Sequence, residues 1–227
     1  MKALDEPGVE KIQIQAPDAA AAPGVSSDAT LRTPHSTLIF RPLSYVERLD
    51  FEAVFSQRQP VEVELGSGDG SFLAQYAQAH PQRNFLGVER LLGRLRKLDR
   101  KGRRAGLVNL RLIRLEAAYL LEYLLPREST QAVHVYFPDP WPKRKHRKHR
   151  LVNAHFAEVA RQVLAPGGTV YLRTDDADYF GQMTEVFTAN RAFAAVETPP
   201  ELCARLTDFE REFHARGVRT LRAAYQR

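Results

Sequence analysis

The chain has 227 residues, and its 33 Lys and Arg outnumber its 27 Asp and Glu, which gives a formal net charge of +6. This length suits one large α/β domain or two small ones. The positive charge favours a polyanionic partner such as a nucleic acid. The lone Cys203 excludes a disulfide framework and a cysteine-based zinc site. No apolar run approaches the ~20 residues that cross a bilayer and no signal peptide is recognisable, so we expect a cytoplasmic protein without membrane binding.

The chain changes character near residue 38. Residues 1–37 are rich in Ala, Pro, Ser and Asp and have no sustained hydrophobic period. Such a segment buries too little apolar surface to fold, so we expect a flexible tail. Residues 38–227 are predicted to form a single domain.

Strand and helix patterns alternate through this domain. Strands are predicted at residues 61–65, 84–88, 110–115, 132–137 and 169–173, with strand character again at 219–226. Helices are predicted at 71–79, from residue 91 to the end of that region at Gly106, at 117–125, at 151–164 and after Asp176. This alternation predicts an α/β fold with a parallel sheet and helices on both faces. In such sheets ligands bind beyond the carboxyl ends of the strands.

A glycine-rich turn follows the first of these strands. It reads G-x-G-x-G with glycines at 66, 68 and 70, which differs from the G-x-G-x-x-G dinucleotide fingerprint. Glycines let a ligand approach the backbone closely. Glu64, just before the turn, would repel a pyrophosphate. It suits a cationic ligand, such as the amino-acid part of S-adenosylmethionine.

Two further carboxylates stand at the ends of the next two strands. Glu89 can accept two hydrogen bonds from ribose hydroxyls, and Glu116 is placed to meet the edge of an adenine. Each alone also fits a helix N-cap or a solvated residue. Their joint placement with Glu64 favours a cofactor site.

The segment 138–150 combines a carboxylate with a basic run. Asp139 and Trp141 alternate with three prolines, and six Lys or Arg with two His follow in eight residues. A carboxylate can read the donor edge of a base, and cations can hold phosphates. The alternatives are a turn-forming Asp139, a solvated charged face, and a Trp141 that packs as core instead of stacking on a base.

Other conspicuous residues are less informative. The basic segment 94–104 fits either an extension of an RNA footprint or a solvated helix. His134 lies in an apolar strand and is predicted to be a satisfied core residue. No cluster of His, Cys and carboxylates has metal spacing, so we expect no required metal.

Three motifs together carry a family resemblance. They are Pro-Asp-Pro-Trp-Pro-Lys at 138–143, Arg-Thr-Asp at 173–175 and Thr-Asp-Phe-Glu at 207–210. With the glycine turn, the chain from 38 to 227 resembles the bacterial tRNA (guanine-N7-)-methyltransferases. These are class I enzymes that use S-adenosylmethionine to methylate the guanine at position 46 in the variable loop of tRNA. The resemblance implies a Rossmann-like, mostly parallel seven-stranded sheet with an antiparallel strand near the C-terminus.

The resemblance also implies roles for individual residues. Glu116 stands where the family more often has Asp, and Asp208 occupies a position that varies. The implied catalytic residue is Asp139, which also belongs to the cofactor set. The cofactor-binding set is Glu64, Gly66, Gly68, Gly70, Glu89, Glu116 and Asp139. The substrate-binding set is Lys143, Asp175, Thr207, Asp208, Phe209 and Glu210. The RNA-contacting set is Lys145, His146, Arg147, Lys148, His149 and Arg150.

The implied chemistry needs no general base, because guanine N7 has a lone pair and no proton. We therefore expect Asp139 to orient the reactants and steady charge. Two alternatives stay open: a small-molecule methyltransferase with the same cofactor half, and a non-catalytic RNA-binding module with this fold. The sequence leaves open whether the chain is a monomer or a homodimer.

Overall fold

The computed structural model describes residues 37–227. The predicted tail, apart from Thr37, lies outside the described residues. Within them, no helix is long and apolar enough to span a membrane.

One sheet organises the described part of the chain. Its strands are β1 (Ile39–Phe40), β2 (Val61–Leu65), β3 (Asn84–Val88), β4 (Leu110–Ile113), β5 (Thr130–Tyr136), β6 (Leu164–Thr174), β7 (Ala194–Val196) and β8 (Leu221–Gln226). Their order in the sheet is β1-β4-β3-β2-β5-β6-β8-β7, parallel from β1 to β6, with β8 antiparallel to both β6 and β7. This confirms the predicted fold class. The two-residue edge strand β1 brings the described sheet to eight strands instead of seven.

Helices cover both faces of the sheet. They are α1 (Phe51–Val54), α2 (Leu73–Ala79), α3 (Leu92–Arg104), α4 (Ala117–Tyr119), α5 (Ala154–Val163), α6 (Ala177–Ala189), α7 (Pro200–Ala204) and α8 (Asp208–Ala215). A π-helical turn, Leu120–Leu124, continues α4, and a 3₁₀ helix spans Arg144–His149.

Side-chain caps fix where several helices begin. Asn153 accepts a hydrogen bond from the Phe156 amide and Asp176 accepts one from the Tyr179 amide. These bonds satisfy amides that the first helical turn leaves unpaired. The helix predicted from residue 151 therefore begins at Ala154.

The sheet separates two apolar cores. Val61, Val63 and Leu65 of β2 point into the larger core with α5 and α6, whereas α2 and α3 pack on the opposite face. Because both faces are covered, all five residues of β2 are buried. The alternate β2 residues Glu62 and Glu64 therefore lie in the protein interior.

A polar network satisfies one of these interior carboxylates. Glu62 accepts a hydrogen bond from Arg83 at 2.6 Å and pairs with His134 Nε2 at 2.8 Å, while His134 Nδ1 lies 2.8 Å from the Tyr136 hydroxyl. His134 is fully buried. It is a satisfied core residue, as its place in an apolar strand predicts.

The start of β6 differs from the prediction. The strand begins at Leu164 instead of Thr169 and runs through the Pro166-Gly167-Gly168 segment. A register shift absorbs the extra residues, because Thr130 pairs with Leu164 and Ala132 pairs with Thr169.

The register brings the carboxyl ends of the central strands together. Leu65 at the end of β2 pairs with Val88 of β3 and with Val135 of β5, and Val88 pairs with Ile113 of β4. The residues that follow these strands therefore meet at one edge of the sheet.

Candidate active site and RNA interface

The turn after β2 leaves room for a ligand at its first two glycines. Gly66, Gly68 and Gly70 have φ of +83°, +55° and +76°, a region that glycine adopts without strain. A Cβ at Gly66 or Gly68 would meet no atom within 4 Å. A Cβ at Gly70 would lie 2.1 Å from Cδ1 of Leu98, so the third glycine serves close packing against α3.

Glu64 is a buried carboxylate with an unpartnered oxygen. The residue is 4% exposed, and its Oε2 has no hydrogen-bond partner among the described residues. Burial raises the pKa of Glu64 to about 8, and the negative charges of Asp69 and Glu89 add to this, although Arg173 opposes it. Such a group gains from a cation that brings its own N–H donors. The residue fits the charged amino group of S-adenosylmethionine.

Glu89 ties the glycine turn to the end of β3. Its Oε2 accepts from the Gly68 amide at 3.1 Å, and its Oε1 accepts from the Leu91 amide at 2.7 Å. Each carboxylate oxygen has a second lone pair, so the held carboxylate can still accept from ribose hydroxyls.

Glu116 has a structural role in the ligand-free protein. Its side chain caps α4 by accepting from the Tyr119 amide at 3.1 Å, which is the alternative that the sequence left open. The exposed carboxylate also lines a cavity of about 220 Å³ together with Lys148 and His149 of the basic run. Glu116 and the basic run thus meet at one cavity.

Asp139 stands exposed on a strained loop beyond β5. Phe137 and Trp141, on either side of it, have φ of +51° and +43°. Non-glycine residues adopt this region rarely, and such strain concentrates at functional sites. The Asp139 carboxylate accepts from the Trp141 amide at 3.3 Å and otherwise faces solvent.

Trp141 is not part of the apolar core, but its side chain is not free in solvent either. Its half-buried ring lies 5.8 Å from the ring of His146 and 5.2 Å from that of His149. Trp141 therefore joins the Asp139 loop to the basic 3₁₀ helix that follows it.

Most of the basic run 143–150 is exposed, but its last residue is buried. Lys143, Lys145 and Lys148 are exposed, and none of their side chains has an ion-pair partner among the described residues. Arg147 pairs with Asp178 at 2.9 Å.

Arg150, in contrast, is 2% exposed and lies over the Tyr179 ring at 4.8 Å. It donates to the Pro140 carbonyl at 2.7 Å, to Asp178 at 2.6 Å and to Gln182 at 2.9 Å. Arg150 thus anchors the run, and its guanidinium is occupied within the protein.

The Thr-Asp-Phe-Glu motif starts α8 beside this edge. Thr207 and Glu210 form a capping box, with bonds of 2.8 and 3.0 Å. The Asp208 amide donates to the Ser71 hydroxyl next to the glycine turn, and the Phe209 ring lies 6.4 Å from that of Phe137. Asp208 and Phe209 are exposed, whereas Thr207 and Glu210 are buried.

Arg173 holds the motif in place. Its guanidinium donates to Glu210 at 2.9 Å, to the Arg205 carbonyl at 2.9 Å and to the Leu202 carbonyl. It also lies 4.1 Å from the centre of the Tyr136 ring. Asp175, two residues further on, is exposed at the end of β6. The sequence placed Arg173 in the Arg-Thr-Asp motif but predicted no role for it, although a cation at the end of an apolar strand was a usable signal.

The residues described show no group of three or more His, Cys, Asp or Glu able to hold a metal ion. The arrangement instead offers a buried carboxylate, a second carboxylate near the glycine turn and an exposed carboxylate beside cations.

Comparisons with known proteins identify the fold and the family of this chain. A family model described as "Putative methyltransferase" matches residues 58–225. Among solved structures, the 16S rRNA methyltransferase KamB superposes with a TM-score of 0.55 at 18% identity, over 79% of this chain and 94% of its own. The aminoglycoside resistance methyltransferase NpmB1 gives 0.52 at 18% identity, over 79% and 94%. The fold and family model define a class I methyltransferase.

Curated relatives narrow this class. The tRNA (guanine-N(7)-)-methyltransferase of Hydrogenovibrio crunogenus is 38% identical over 177 residues, which cover 74% of this chain and 72% of the relative. Its namesake in Vibrio cholerae is 35% identical over 187 residues, covering 80% and 78%. The chain belongs to the tRNA (guanine-N7-)-methyltransferase family.

Proposed function

We propose that the chain transfers the methyl group of S-adenosylmethionine to N7 of guanine 46 in the variable loop of tRNA. The observation that carries this proposal is one edge of the sheet where the unpartnered Glu64 carboxylate and the exposed Asp139 adjoin a basic run. A small-molecule enzyme would have no use for that run. A binding module without a cofactor would leave the Glu64 oxygen buried without a partner.

The cofactor set would hold the methyl donor at the carboxyl ends of β2, β3 and β4. Glu64 binds the amino group, Glu89 the ribose hydroxyls and Glu116 the adenine edge. Gly66, Gly68 and Gly70 let the donor approach the backbone. When bound, the sulfonium supplies an electrophilic methyl group to which N7 donates its lone pair, while the sulfur keeps the electrons of the broken S–C bond.

The chain's own contribution is alignment and electrostatics. Asp139 is free to accept from the N1–H and N2–H₂ donors of the guanine edge or to hold the cationic end of the cofactor. In either position its charge favours the purine as it becomes cationic. Asp175, exposed at the end of the neighbouring strand, is a second reader of the guanine edge. Fixed geometry of this kind contributes up to about 7–11 kcal/mol in favourable cases.

The substrate and RNA sets fall into exposed and buried members. Lys143, Asp208 and Phe209 are exposed and free to contact the nucleotide, whereas Thr207 and Glu210 act by shaping the start of α8. Lys145, His146, Arg147, Lys148 and His149 are proposed to contact phosphates. Arg150 supports them from beneath.

We also propose that residues 38–227 act as one catalytic domain in the cytoplasm, as a monomer or a homodimer. The lone cysteine and a tRNA substrate support the compartment.

Incubation of the protein with labelled S-adenosylmethionine and unmodified tRNA tests the reaction. We expect N7-methylguanine at position 46, located by cleavage of the RNA at that base, and no product with a tRNA carrying adenine there. A protein that binds S-adenosylhomocysteine but leaves tRNA unmethylated would refute the proposal in favour of a small-molecule substrate. Binding of tRNA without any cofactor affinity would favour the non-catalytic module.

A further inference from the structure

The basic helix α3 carries its cations in two rows. Residues 94, 97, 101 and 104 are three or four positions apart and share one face, whereas 96, 100 and 103 share another. The buried side holds Leu95 and Leu98. The first row spans about 15 Å at 1.5 Å per residue. It consists of Arg94, Lys97, Lys101 and Arg104, and we call it the rim row.

The contacts of Lys101 show where the rim row lies. Its Nζ is 3.2 Å from Asp69 in the glycine turn and 4.0 Å from Asp208 at the start of α8. These two carboxylates belong to the edge of the candidate active site. The rim row therefore borders the site, and its middle cation is partly neutralised there.

The second row is oriented differently. Arg103 pairs at 3.1 Å with Asp99, whose other oxygen accepts from the Leu38 amide next to β1. This row, which we call the far row, consists of Arg96, Arg100 and Arg103. It faces toward the edge strand.

Charge along the rim row is largely uncompensated. Arg94 and Lys97 are exposed, and within residues 37–227 neither side chain has an ion-pair or hydrogen-bond partner. Clustered like charges repel one another, and an approaching polyanion relieves that repulsion while counterions are released from it.

The two basic surfaces flank one site. The run at 143–150 is anchored through Arg150 to α6, which packs in the core on one face of the sheet. The helix α3 packs in the core on the other face. Glu64 and the glycine turn lie between them at the sheet edge.

We propose that the rim row of α3 is a second RNA-binding surface, which contacts phosphates on the side of the target nucleotide opposite the 143–150 run. The proposal rests on the proposed function, because it takes tRNA as the polyanion. It assigns Arg94 and Lys97 as phosphate contacts and leaves Arg96 and Arg100 as solvated charges.

The test compares two variants with equal charge loss on the same helix. Arg94→Gln with Lys97→Gln removes two rim cations, and Arg96→Gln with Arg100→Gln removes two far-row cations. Affinity for tRNA is measured by fluorescence anisotropy across a range of salt. Affinity for S-adenosylhomocysteine by calorimetry checks that each variant is folded.

For the rim variant we expect the slope of log affinity against log salt to become shallower by about 1.4–1.8, since each phosphate contact contributes about 0.7–0.9. Between about 50 and 200 mM salt, the wild-type affinity should then fall by a factor roughly 7 to 12 times larger than the factor for the rim variant. The far-row variant should keep the wild-type slope.

A rim variant with the wild-type slope, or a far-row variant with an equal loss, would overturn the proposal. Because binding is measured without turnover, these outcomes are independent of the methylation assay. If the rim variant shows the expected shallower slope but the wild-type protein binds tRNA without transferring a methyl group, the result would count against the proposed function alone.

Discussion

Glu210→Ala probes the anchor between β6 and α8. The wild-type carboxylate accepts from Arg173 at 2.9 Å, from Arg222 at 2.8 Å and from the Thr207 amide at 2.8 Å. The side chains of Arg173 and Glu210 are 1% and 0% exposed. Removal of one partner of a buried pair leaves an uncompensated charge, which costs about 3–5 kcal/mol. We expect a loss of that size in the free energy of unfolding.

Urea denaturation followed by circular dichroism measures this loss, and hydrogen exchange locates it. Glu212→Ala on the same helix is the control, because Glu212 is 65% exposed and pairs with Arg216 only at 3.7 Å. Its loss should be about 0–1 kcal/mol. If loss of the anchor causes only local unfolding, amides of residues 199–217 should exchange faster in the variant than in the wild type while the sheet stays folded. The reasoning fails if Glu210→Ala matches the control in both measurements.

Three further changes have defined outcomes. Asp139→Ala should abolish methyl transfer while tRNA affinity persists; wild-type turnover in a labelled-methyl assay would contradict the assigned role. Affinity for S-adenosylhomocysteine, measured by calorimetry, should rise with pH up to about 8 and then level off, because Glu64 must be ionised to bind a cationic amine. Glu64→Gln should remove this rise, and an unchanged profile would exclude Glu64 as its source. Gly70→Ala should lower thermal stability by about 1–3 kcal/mol more than Gly106→Ala, since both have positive φ but only Gly70 would clash with Leu98; equal losses would mean that the packing argument is wrong.

The same pKa of Glu64 has an effect on stability. The folded value of about 8 lies above the ordinary 4.5, so the ligand-free folded state holds an additional proton between these values. The stabilisation of the folded state by this bound proton therefore falls as the pH rises from about 4.5 to about 8.

The sequence predicted the parts of the fold that local patterns determine. Residues 61–65 and 84–88 are strands with the predicted bounds, because short apolar and β-branched runs end at turn residues. It did not predict β1, whose two residues are too few to show a period. It also placed the start of β6 too late, since the register shift beside Thr130 depends on a neighbouring strand.

The candidate site, like the fold, was predicted only in part. Carboxylates at successive strand ends were predicted to converge, and the register brings the ends of those strands together. The buried state of Arg150 was not readable from a run of cations, because Asp178 lies 28 residues further along the chain. Arg173 and Glu210 are likewise separated by 37 positions. The roles of the site residues in binding and catalysis stay predictions.

The anchored end of the basic run has a consequence for the choice of target. Arg150 donates back to the Pro140 carbonyl, one residue after Asp139, and also holds α6. Residues 140–150 therefore form a loop that the Arg150 side chain closes by its bond to the Pro140 carbonyl. A phosphate bound on this loop lies at a set distance from the Asp139 carboxylate. Under the proposed function, we expect the spacing between the target base and a neighbouring phosphate to contribute to the choice of guanine.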